Sequence, residues 1–197
     1  MREYIVRNLD KLDWSSVEEQ TINECSWSPN PAPAAGFKAV LVSKEALYVL
    51  VKSYSAPSRA ENTEPDSSVW EDSCLEFFFS LDGASYVNLE VNANSALRAS
   101  FGASRRDRKR LREMGIAMPE VKATRGEAAW QVEYKVPQEC IKALWGRELA
   151  AGDCFRANFY SCGDKTPAPH FASWNPVETE TPDFHRPEYF GLIKIED

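Results

Sequence analysis

WEDSCLEFFFSLDGASYVNLEVN, residues 70–92, is the stretch whose reading decides the fold. It reads as two strands joined at Asp82-Gly83. Before the turn, Leu75, Phe77 and Phe79 alternate with Glu76 and Phe78. After it, Val87, Leu89 and Val91 alternate with Asn88, Glu90 and Asn92. Period-two alternation predicts a half-buried antiparallel hairpin with its apolar face inward. Symmetric pairing about Gly83 sets Glu76 beside Glu90, Phe78 beside Asn88 and Cys74 beside Asn92. Like charges directly across a sheet repel. A polar face that carries two glutamates and two asparagines is therefore expected to be a site.

The flanking chain repeats the pattern. Residues 37–42 and 46–54 read as a second hairpin around Ser43-Lys44-Glu45, and residues 3–9 as a short first strand. Residues 28–36, SPNPAPAAG, form a Pro-rich connector unsuited to a central strand, and 55–69 form a polar loop that delivers the chain to Trp70. Residues 96–101, 120–122, 128–136, 153–161 and 189–195 complete the strand candidates. PQECIKALWG, 137–146, is the one short helix, opened by Pro137 and closed by Gly146. The long loop 162–187 holds both histidines, His170 and His185, with Asp183 and Arg186 read as a supporting pair. Strands without βαβ alternation imply an all-β fold. The expectation is one domain over 1–197, an antiparallel, jelly-roll-like β-sandwich of about 8–10 strands with one short helix and long loops.

Composition narrows the function. A chain of 197 residues that is 43% hydrophobic and 12% aromatic can bury a sizeable core and is not disordered. A net charge of −7 argues against nucleic acid or an anionic membrane as partner. The six basic residues between 105 and 112 accordingly read as a solvated connection. Five cysteines without a CxxC pair suit buried thiols in a reducing compartment. No apolar run reaches transmembrane length, and MREYIVRNLD lacks a signal peptide's apolar core. The cytoplasm is the expected compartment of the chain as written, with secretion or the periplasm expected if a leader precedes it.

The blocks VWEDSCLEFFFS, YVNLEVNANSALRASFG, FRANFYSCGD, HFASWNPV and PDFHRPEYFG, taken in order, resemble the carbohydrate-binding module family 9-like domains, grouped with the DOMON-like superfamily. The resemblance spans roughly 37–195. It implies a sandwich that holds a sugar, often a glycan's reducing end, between two aromatic side chains, with carboxylates and amides on the hydroxyls. The first aromatic matches Trp70 in a pattern that includes Glu76, and the second falls on Phe184 rather than a Trp. Trp174 stands in as a substitute from a neighbouring motif. A strand position that is Arg in such modules is Glu90 here, and the Asn beside it matches Asn92. The resemblance also implies that calcium is possible as a structural ion, with no cofactor required.

The chemistry agrees with the residue types. An indole buries the C–H-rich face of a sugar ring, while carboxylates and amides orient its hydroxyls. Arg98, by alternation, faces the polar side and neutralises the glutamates or touches ligand, as does Arg156. His185 belongs to the rim. Expected ligand-binding residues are thus Trp70, Glu76, Glu90, Asn92, Arg98, Trp174, Phe184 and His185, with no catalytic residue. Two alternatives stay open: a glycoside hydrolase using Glu76 and Glu90 as its carboxylate pair, and a repurposed sandwich that binds haem or a protein partner.

Overall fold

The computed structural model describes residues 1–27 and 30–197. Ser28 and Pro29, the start of the expected Pro-rich connector, lie outside the described residues. Among the described residues thirteen strands form where the alternation runs. They are β1 (Glu3–Leu9), β2 (Gln20–Ile22), β3 (Ala35–Val42), β4 (Ala46–Ser53), β5 (Cys74–Ser80), β6 (Tyr86–Asn92), β7 (Leu97–Gly102), β8 (Arg108–Arg110), β9 (Glu120–Arg125), β10 (Trp130–Pro137), β11 (Cys154–Cys162), β12 (Phe171–Ser173) and β13 (Gly191–Ile195). The expected 8–10 strands fall short because β2, β8 and β12 are three-residue pairings too brief to show a period. The one α-helix among the described residues, α1 (Gln138–Trp145), ends at Gly146, whose φ of 72° is open to glycine at little cost.

The strands follow the order β8-β7-β6-β5-β11-β13-β1-β3-β4-β10-β9. One strand makes the corner of this curled sheet. Glu3–Val6 of β1 pair with β13, and Arg7–Leu9 pair with β3. Both pairings of β1 are parallel, a departure from the all-antiparallel expectation; the ladders elsewhere along this order are antiparallel. A strand shared in this way closes two layers over a common core, which is the sandwich solution.

The inward faces meet in an aromatic stack. Phe37 of β3 lies on Phe159 of β11 with ring centroids 3.5 Å apart and planes 11° from parallel. Phe77 of β5 continues the stack at 5.1 Å. Tyr134 of β10 donates its hydroxyl to the Leu75 carbonyl at 2.6 Å, a buried tie between the layers. The predicted register holds: Glu76 pairs with Glu90, Phe78 with Asn88 and Cys74 with Asn92. Gly83 turns with φ 71°, while the Asp82 carboxylate accepts from the backbone N–H groups of Ala84 and Ser85.

The hairpin is not half-buried. Every residue of β5 and β6 is buried, on both faces. The chain between β11 and β13 lies over the outer face and builds a second apolar cluster there. Phe78, Tyr86, Tyr160, Val177, Phe184 and Phe190 belong to it. A sheet covered on both sides must satisfy or neutralise whatever polar groups it holds, and here that means two glutamates.

The packing of Trp174 against β13 supplies a test of the core. A Cβ on Gly191 would come within 2.3 Å of the Trp174 ring and 3.1 Å of the Arg2 carbonyl. Gly191→Ala is expected to destabilise by about 1–3 kcal/mol through overpacking, read as a lower urea midpoint. An unchanged midpoint would contradict this contact.

Candidate functional site

The site is built on the outer face of β5 and β6. Glu76 and Glu90 sit side by side there at 2% and 4% exposure. Glu90 accepts from the Asn88 amide at 2.8 Å and faces Arg98 across the β6–β7 ladder. Glu76 accepts from the Cys162 thiol at 3.1 Å through Oε1. Its Oε2 is buried with no hydrogen-bond partner among the described residues. Burial pushes both carboxyls up. For Glu76 the charge of Glu90 adds to the effect. For Glu90 burial is opposed by Arg98, Arg108 and Arg110. Both carboxyls are thus held above the ordinary range as a pair, and of the two it is Glu90 that has arginines opposing the rise.

Trp70 forms one wall. It sits in the 3-10 turn Val69–Glu71, just before β5. Buried Asp72 fixes that turn by accepting from the Asn62 backbone at 2.9 Å and from the Asn62 and Asn92 amides at 3.1 and 2.8 Å. Arg59 adds its charge 3.1 Å from Asp72 Oδ1, without the alignment of a hydrogen bond. From the far side, the Asp164 N–H donates to the Trp70 carbonyl. The Arg98 guanidinium lies over the indole, 4.5 Å from the ring centroid, and Arg98 Nη1 donates to the Asp66 carbonyl at 2.8 Å. Phe184 forms another wall, stacked on Tyr160 with centroids 4.0 Å apart.

The basic run supplies the rim. β8 folds back on β7 and carries Arg108 over the outer face, where Nη1 donates to Asn88 Oδ1 at 3.2 Å and to His185 Nδ1 at 2.6 Å. Burial and the surrounding Arg108, Arg105 and Arg98 push His185 down to about 2, so it stands in the pocket as a neutral acceptor. Arg105 lies 3.5 Å from Asp183. Together these groups enclose a cavity of about 520 Å³ lined by Trp70, Glu76, Glu90, Arg98, Arg105, Arg106, Arg108, Cys162, Asp164, Phe171, Asp183, Phe184 and His185, among others. That is a common size for a small-ligand pocket.

Six of the eight expected residues thus converge: Trp70, Glu76, Glu90, Arg98, Phe184 and His185. Two do not. Trp174 is 1% exposed and edges onto Phe37 and Phe159 inside the main core; it follows β12 directly, and its backbone N–H donates to the Phe159 carbonyl. Asn92 is fully buried outside the pocket lining. Its amide donates to Asn62 and Asp72, and its carbonyl accepts from Asn94 and Ala96. Its hydrogen bonds serve to hold the Trp70 turn. Arg156 points to the Phe190 carbonyl, away from the pocket. Arg186 pairs with Glu188 rather than Asp183.

Arg105, Arg106, Arg108 and Cys162 were not expected in the lining. The alternation of Arg108 and Arg110 about Lys109 was the available signal for a strand in the basic run. The Cys74, Glu76 and Cys162 donor atoms lie within 4.8 Å of one another. This sulfur-rich set suits a thiophilic ion and not calcium, which takes oxygen ligands. The expected calcium gains no support from it.

The chain matches the family model for carbohydrate-binding family 9 over residues 7–195, and it belongs to that family. Among solved structures it is similar to a candidate carbohydrate-binding protein from Bacteroides uniformis ATCC 8492. Identity is 28%, TM-score 0.79 and coverage 99% of each chain. It shares its fold with a family 9 module from Caldicellulosiruptor kristjanssonii in complex with glucose, at 16% identity and TM-score 0.69, over 99% of this chain and 96% of that one. The same module in complex with cellotriose matches at 16% identity and TM-score 0.69, over 99% and 94%. No curated protein matches.

The raised Glu76 pKa has a measurable consequence. The folded state holds a proton that the unfolded chain, with an ordinary value near 4.5, releases sooner. Stability from this group is full below that value and is lost as pH rises towards the folded pKa, with a limiting slope of about 1.4 kcal/mol per pH unit. Glu76→Gln mimics the protonated form. The variant is expected to gain on wild type in urea midpoint as pH rises from 4.5 to 8. A constant difference across that range would show that Glu76 titrates normally.

Proposed function

We propose that this pocket binds a sugar, with one pyranose ring between Trp70 and Phe184 and its hydroxyls on Glu76 and Glu90. The observation that carries the reading is the buried, unpartnered Oε2 of Glu76 beneath a pocket with aromatic walls. A buried polar atom without a partner costs about 1–3 kcal/mol, which a ligand hydroxyl would offset. A carboxyl that holds its proton offers both a donor and an acceptor, and an ionised one offers a stronger acceptor. Each suits a hydroxyl, which can give or take a proton in the bond.

The walls fit the other half of a sugar. Trp70 and Phe184 present apolar ring surface, and the C–H face of a pyranose is the part that water solvates least. Arg98, laid over the Trp70 ring, fixes the indole plane and also lends its charge to Glu90. Family membership supports the same reading, as do the glucose and cellotriose complexes of the C. kristjanssonii module.

Isothermal titration against mono- and disaccharides tests the proposal. Trp70→Ala is expected to weaken binding by about ten-fold or more. Glu90→Gln is expected to weaken it by a further several-fold through loss of a charge-assisted acceptor. No saturable heat with any sugar, from a protein folded by circular dichroism, would overturn the reading. Release of nitrophenol from an aryl glycoside, abolished in Glu76→Gln, would instead assign the pair to hydrolysis.

A further inference from the structure

The pocket holds more positive charge than a neutral sugar needs. Four guanidinium groups line it: Arg98, Arg105, Arg106 and Arg108. They gather in a chain whose net charge is −7. Of the carboxyls that line the same space, Glu76 is pushed towards its neutral form by burial, Glu90 faces Arg98 across the ladder, and Asp183 lies beside Arg105. Among the described residues neither Arg106 nor Arg108 has a carboxylate at ion-pair distance, and the Arg108 charge acts on Glu90 from further off. Asp164 is the remaining acid, on the opposite loop. His185 adds no charge of its own.

The arginines also extend past the first ring. A second cavity of about 520 Å³ adjoins the first and shares Arg105, Arg106, Asp183 and His185 with it. The basic run therefore stands at the boundary between the aromatic-walled pocket and an outer groove. Arg106 is exposed there and Arg108 is half-buried. A guanidinium presents a planar fork of donors that matches a carboxylate in two-point geometry. One singly charged, planar acid is what this arrangement can take.

Resting on the sugar-binding reading, we propose that the ligand is an acidic sugar, a hexuronate or a glycan ending in one, whose carboxylate lies against Arg106 and Arg108. The ring occupies the Trp70–Phe184 slot, and its hydroxyls meet Glu76 and Glu90. The C5 carboxylate projects from the ring rim towards the boundary of the two cavities. Further residues of a longer glycan run into the outer groove. The basic run is thereby a recognition element.

Titration of the whole protein with glucose, glucuronate, galacturonate and glucose 6-phosphate, at low and at 0.5 M salt, separates the possibilities. A uronate is expected to bind about ten-fold more tightly than glucose at low salt, and salt is expected to erode that advantage. Arg106→Gln, on an exposed side chain with little bearing on folding, is expected to bring the uronate-to-glucose ratio towards one, and Arg108→Gln to do so more fully. Equal affinity for glucose and both uronates, with no salt effect on the ratio, would overturn the acidic-sugar proposal and leave sugar binding standing. Preference for the phosphate ester over both uronates would overturn the carboxylate assignment. Absence of binding to every sugar, with Trp70→Ala indistinguishable from wild type, would overturn both readings together.

Discussion

Two glutamates buried side by side on a two-stranded ladder set the terms for the rest of the molecule. Removing adjacent like charges from water is costly, so the structure must supply positive charge, hydrogen bonds or protons. It supplies all three. Arg98 and Arg108 serve Glu90, the Cys162 thiol serves one oxygen of Glu76, and burial favours the protonated form of Glu76. The oxygen left unserved belongs to a residue that lines the pocket. Such an arrangement is poor economy for stability alone, which is why it points to a ligand.

The burial of this pair comes from the loop that follows β11. Phe184 and Phe190 dock with Phe78, Tyr86 and Tyr160 on the outer face of the sheet. This second cluster does for the site what the Phe37–Phe159 stack does for the fold. It excludes water, lowers the local dielectric and so strengthens each charge-assisted contact inside. The loop also brings in His185, neutral beside Arg108 because it is buried and because an imidazolium there would face a cluster of guanidinium groups. One long segment thus makes one aromatic wall and part of the rim.

Positioning groups lie a layer behind the lining. Asp72 is fully buried and gathers Arg59, Asn62 and Asn92 around the turn that carries Trp70. Asn92 belongs to this support. Its place in the alternation puts it on the same sheet face as Glu76 and Glu90, and for that reason the sequence makes it look like a ligand residue. What separates it from them is the loop 59–73, which reaches its amide first.

The sequence alone determined the hairpin, its register and the glutamate pair, because a two-residue period fixes which side chains share a face and a tight turn fixes which oppose each other. It also determined the all-β class, the helix at 138–145 and most strand positions. Only the tertiary structure decided that both faces of the hairpin are buried, that Trp174 turns into the core while Trp70 does not, and that β1 joins the two layers by parallel pairing. It alone brought the basic run over the site. Those outcomes depend on contacts between residues far apart in the chain, and local periodicity carries no information about which distant segment covers a face.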